Sequence, residues 1–77
     1  MQKVIIYTTP TCPYCKMSKE FFKANSVAYE EKDVSNDESA LNEMLQKSGQ
    51  MGVPVIDIDG QIVVGFDEKK LRELLNK

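Results

Sequence analysis

The stretch KVIIYTTPTCP, residues 3–13, constrains the fold more than any other part of the chain. Lys3–Thr8 is a β-branched and aromatic run, too short for a helix and bounded by Thr9-Pro10, so it reads as a buried strand. Pro13 suits the first position of a helix, where its missing N–H would have no partner in any case. Beyond it Met17, Phe21 and Ala24 recur at helical spacing, as do Ser18 and Phe22, and Asn25 can cap the end. A strand therefore turns into a helix, predicted over Pro13–Ala24, with Cys12 at the turn.

The remaining segments are read in the same way. Val27–Val34 (VAYEEKDV) alternates weakly and carries four consecutive charged residues, the pattern of an edge strand. Ser35 followed by Glu38 makes a capping box for a second helix with an apolar face of Ala40, Leu41, Met44 and Leu45, ended by Gly49. Val53–Asp57 and Gln61–Val64 flank Asp59-Gly60, a strong hairpin signal. Asp67 can cap a last helix, with Phe66 and Leu71 as a hydrophobic staple and Leu71, Leu74 and Leu75 as the buried stripe. The order βαβ-α-ββ-α predicts an α/β domain over residues 1–77. A right-handed parallel crossover and an antiparallel pair would share one mixed four-stranded sheet, with helices on both faces.

Composition excludes several classes. At 77 residues one core is only marginally sufficient, and two cysteines with no histidine leave little for disulfide staples or a structural metal. Ten basic and twelve acidic residues are interspersed, so no nucleic-acid footprint is expected. Lys69, Lys70 and Arg72 read as a solvated helix face. No segment approaches the ~20 apolar residues of a membrane span, and Met1–Lys3 shows no signal-peptide pattern. A cytoplasmic monomer is the expectation, and in the cytoplasm a disulfide is usually transient and catalytic.

The pair Cys12-Pro13-Tyr14-Cys15 then has three readings. A structural disulfide closing so small a loop would constrain the unfolded chain little. A zinc or iron–sulfur site would need a second chain, or carboxylates such as Asp67, to complete its ligands. As a redox pair, Cys12 stands at a helix N-terminus, where free N–H groups, Pro13 at the first position and the charges of Lys16 and Lys19 favour a thiolate. Cys15, one turn on, can then resolve a mixed disulfide held on Cys12. The redox reading accounts for the most features.

CPYC after a strand and opening a helix resembles the active site of dithiol glutaredoxins, within the thioredoxin fold. SGQMGVP (Ser48–Pro54) resembles a second segment of that family, and GFDEKKL (Gly65–Leu71) falls where the family has a glycine-glycine turn and an acidic residue. The resemblance covers essentially the whole chain and implies thiol–disulfide exchange, with no permanently bound cofactor and glutathione as co-substrate. It implies Cys12 as nucleophile, Cys15 as resolving thiol and Tyr14 as a flanking ring. Pro54 would be a cis-proline that leaves the Val53 backbone free to pair with a substrate. Gln50 and Asp67 would lie against the two ends of glutathione. The chain departs at Gly52, which replaces a threonine, and at Phe66, which replaces the second glycine. Gly-Phe at that place resembles redoxins reduced by a flavoprotein and delivering electrons to a reductase or peroxidase.

Overall fold

The computed structural model describes residues 3–50 and 52–76. The elements are β1 (Val4–Thr8), α1 (Pro13–Ala24), β2 (Glu30–Asp33), α2 (Glu38–Ser48), β3 (Val55–Ile58), β4 (Gln61–Val64) and α3 (Glu68–Leu75). They form one four-stranded sheet in the order β2-β1-β3-β4. β1 pairs parallel with β2, Ile6 opposite Glu31, and antiparallel with β3, Ile6 opposite Ile56. β3 and β4 close the sheet as an antiparallel hairpin.

Alternation along β1 sends its side chains to two cores. Val4 and Ile6 join Phe21, Phe22, Leu71 and Leu75, so α1 and α3 cover one face. Ile5 and Tyr7 join Ala40 and Met44, so α2 covers the other. Every residue of β1 is consequently buried, which explains its unbroken apolar run. Burying side chains such as Leu71 and Leu75 contributes about 1.5–3 kcal/mol each. At the hairpin tip Asp59 and Gly60 have φ of 51° and 91°, the two positive values that a two-residue turn of this kind needs.

Several expectations shift. The cap of α2 is Asp37, whose side chain accepts the Ala40 N–H at 3.1 Å; Ser35 instead donates its hydroxyl and its N–H to Asp33. Asp33 offers Ser35 a nearer partner, and the helix starts later as a result. Met17 is 44% exposed and Ala24 lies at the surface, while Cys15, Ser18, Phe21 and Phe22 are buried. The buried stripe of α1 is thus rotated toward the polar Ser18, whose hydroxyl is satisfied by the Tyr14 carbonyl at 2.9 Å. β2 is shorter than the alternating stretch, although Val27 and Tyr29 still pack on the first core. Pro54, with no N–H to give to a ladder, lies before β3, which starts at Val55.

Asp67 caps α3 by accepting the Lys70 N–H at 3.2 Å. Phe66 lies against the core that contains Leu71, and its ring meets Phe21 edge-on at 6.1 Å. The bulky ring at this turn therefore faces inward.

Candidate active site

The turn after β1 delivers Cys12 to the N-cap of α1, with extended backbone (φ −91°, ψ 111°) and Pro13 at the first helical position. The Cys12 N–H donates to the Thr9 carbonyl at 3.3 Å, and the Cys12 carbonyl accepts the Lys16 N–H at 3.2 Å. Cys12 Sγ accepts the Cys15 N–H at 3.2 Å. A sulfur here takes the place of the serine or aspartate oxygen that caps most helices, among N–H groups that favour negative charge.

Both cysteines are free thiols, but their surroundings differ: Cys12 is half-buried, whereas Cys15 is 1% exposed. Burial pushes the Cys15 thiol up to about 12, reinforced by its hydrogen bond with Cys12, while the Thr9 backbone and the Lys19 charge pull the other way. Cys15 is thus a protonated thiol at neutral pH. The helix presents one sulfur outward and keeps the second in reserve beneath it.

The loop before β3 closes the other side of Cys12. The Val53–Pro54 peptide bond is cis, and the Cys12 thiol lies 3.7 Å from the Val53 carbonyl oxygen, to which it donates. Cys12, Cys15, Val53 and Pro54, widely separated in the chain, are thereby brought together. Lys16 shares a cleft of about 320 Å³ with both cysteines.

The other expected site residues lie farther out. Tyr14 is 59% exposed and no hydrogen bond joins it to either sulfur. Gln50 is exposed; its carbonyl accepts the Ser48 hydroxyl at 3.0 Å. A Cβ at position 52 would stand 3.3 Å from Gln50 Nε2, so Gly52 leaves that amide room. Asp67 is occupied in capping α3. Among the described residues no group of three or more His, Cys, Asp or Glu side chains converges as a metal donor set.

One arrangement was not legible beforehand. Glu31 Oε2 accepts the hydroxyl of buried Thr8 at 2.8 Å and the Lys19 ammonium at 3.0 Å. The Lys19 hydrogen bond, then that of Thr8, holds the Glu31 carboxyl below its ordinary range. The charge of Lys19 is thus largely answered by Glu31 rather than directed wholly at the thiols. Only the parallel pairing of β1 with β2 brings Thr8 near Glu31, and no local motif signals it.

A four-stranded mixed sheet with helices on both faces and free thiols at the first strand–helix junction has the thioredoxin fold. A crystallised thioredoxin-like protein superposes with a TM-score of 0.91 at 46% identity, covering 99% of this chain and 97% of its own. The class is therefore that of the thiol–disulfide oxidoreductases. The family model for glutaredoxin matches residues 4–63. A glutaredoxin-like 8.6 kDa protein encoded in a rubredoxin operon of Clostridium pasteurianum is 44% identical over 72 residues, 94% of this chain and 96% of that protein. Glutaredoxin 3 of Escherichia coli K12 is 37% identical over 68 residues, 88% of this chain and 82% of its own. The chain belongs to the glutaredoxin family.

Proposed function

We propose that this protein, acting as a single domain over residues 1–77, reduces protein disulfides and glutathione mixed disulfides with Cys12 as nucleophile and Cys15 as resolving thiol. The observation that carries the reading is the asymmetry of the pair: an outward sulfur that accepts a backbone N–H, above a buried thiol one turn on. The Cys12 thiolate attacks a substrate disulfide, whose S–S bond breaks; one substrate sulfur leaves and the other stays on Cys12. Cys15 then loses its proton and attacks the Cys12 sulfur, releasing the second substrate thiol. The substrate has gained two electrons and the protein holds a Cys12–Cys15 disulfide. Two glutathione thiols reduce that disulfide, and glutathione disulfide is formed.

The inward turn of Phe66 supports glutathione as the donor, because the ring packs on Phe21. The segment before α3 then offers its N-terminus and Asp67 to the γ-glutamyl end, while the Val53 backbone, Pro54, Gln50 and Tyr14 receive the rest. Pro13 and Lys16 favour the Cys12 thiolate, no cofactor is bound permanently, and the protein works in the cytoplasm as a monomer. A second reading, reduction by a flavoprotein, rests on the Gly65-Phe66 pair itself.

Reduction of the oxidised protein by glutathione, with the mass of a Cys15→Ser variant followed in parallel, separates the two. Rapid reduction with glutathione trapped on Cys12, weakened by Asp67→Ala, is expected. Slow reduction with no preference for glutathione over a plain thiol would transfer the donor role to a flavoprotein.

A further inference from the structure

Beside Cys12, the cleft along α1 is lined by Lys16, Lys19 and Lys23 against the single carboxylate Glu20. A chain with more acids than bases therefore gathers three of its ten cations next to its thiols. Glu31 answers Lys19, but Lys16 and Lys23 make no ion pair among the described residues. They are seven residues apart, so a helical period of 100° per residue sets them within about 20° of each other on one flank. Exposed Tyr14 and Met17 fall on the opposite flank of the same helix. No lining residue comes from the Val53–Pro54 loop or from the segment before α3.

We propose that this cleft is a docking groove for an acidic segment of a protein substrate, adjoining the cysteine under attack. The inference rests on Cys12 being the attacking sulfur. Lys16 and Lys23 stand four and eleven residues after Cys12, about 6 and 16 Å of helical rise. An extended chain covers those lengths in about two and five residues. Glutathione, a tripeptide with cysteine in the middle, ends one residue away and cannot reach Lys23. The groove thus distinguishes protein disulfides from the small thiol and selects those with carboxylates at about two and five positions from the reactive cysteine.

The test uses the full chain, reduced beforehand so that its own two thiols supply the two electrons of a single turnover, and synthetic cysteine peptides carried as mixed disulfides with 2-mercaptoethanol. Glutamates are placed two and five positions to one side of the cysteine or to the other, with lysine counterparts of each. At low ionic strength one glutamate peptide is expected to exceed its lysine counterpart by roughly fivefold in second-order rate constant, the combined size of two exposed charge pairs. Salt should shrink that ratio. Lys23→Glu should abolish most of it and Glu20→Lys should enlarge it, with turnover of the uncharged bis(2-hydroxyethyl) disulfide unchanged in both. Equal rates for glutamate and lysine peptides, or a preference that survives Lys23→Glu, would overturn the proposal. Failure of the reduced protein to react even with the uncharged disulfide would instead overturn the assignment of Cys12 on which the groove depends.

Discussion

A cleft where α2 meets the sheet, lined by Lys32, Glu43, Lys47 and Asp57 among others, and the cleft along α1 both carry lysines and carboxylates, yet they treat charge in opposite ways. In the first, the hydroxyl of fully buried Tyr7 donates to Glu43 at 2.5 Å. Lys47 donates to the same hydroxyl at 2.8 Å and to Asp57 at 2.7 Å, and Lys32 pairs with Glu43 at 3.1 Å. The Tyr7 bond, followed by that of Lys32, holds the Glu43 carboxyl down at about 2. Burial works against the Lys47 charge, but bonds to Asp57, Tyr7 and Glu43 outweigh it and raise its pKa. That network fastens α2 to the sheet. Along α1, by contrast, Lys16 and Lys23 have no ion-pair partner among the described residues, and the half-buried Cys12 lines the same cleft. A cluster of polar groups is therefore not in itself a site; capacity left unpaired beside a reactive atom is what marks one.

The sharpest way to break this contrast is to remove the outward sulfur. Cys12→Ser should lower disulfide reductase activity by at least about a thousandfold, as loss of a nucleophile does, with the thermal midpoint little changed. Turnover and calorimetry on one preparation check both halves. Asp57→Ala should do the reverse: it removes the nearest carboxylate partner of Lys47, which keeps Tyr7 and Glu43, and the acceptor of the Gly60 N–H at 2.7 Å, and should cost about 1–2 kcal/mol of stability in denaturant unfolding. Alkylation of Cys12 in the folded variant should keep its wild-type rate.

Glu43 gives a pH-dependent version of the same comparison. Its carboxyl is lower folded than unfolded, so its stabilisation is fully present above the unfolded value near 4.5 and is lost as pH falls toward about 2. With the side chain 35% exposed, solvent screening leaves about 1–2 kcal/mol. Glu43→Gln should therefore destabilise the protein by that amount at neutral pH and flatten the loss of stability between pH 4.5 and 2, as read by urea unfolding across that range. The smallest effect concerns helix starts: Asp37→Ala should cost about 1 kcal/mol, and Ser35→Ala less than about half of that.

Local signals explain most of what could be read from the residues. The bounds of α1, the Asp59-Gly60 turn, the Asp67 cap and the cysteine at the strand–helix junction each depend on neighbours a few positions away. Ser35 misled because two cap candidates stand two residues apart, and the choice between them depends on what Asp33 binds. Met17 misled because apolar character does not show which way a helix is rotated on its sheet; packing of Phe21 and Phe22 decides that. Thr8 with Glu31, and Tyr7 with Glu43 and Lys47, unite residues 23 to 40 positions apart, through strand pairing and the docking of α2 that no short motif encodes. Phe66 carried two readings, a departure from the family's glycine and a staple to Leu71, and its packing on Phe21 and the core of Leu71 agrees with the staple.

The division of labour between the two thiols can be measured directly by timed alkylation of the reduced protein, with each cysteine quantified by peptide mass across pH 5–11. Cys12 is expected to react and Cys15 to remain protected until the pH approaches about 12, where its buried thiol ionises. Equal labelling of the two at neutral pH, or faster labelling of Cys15, would contradict the account.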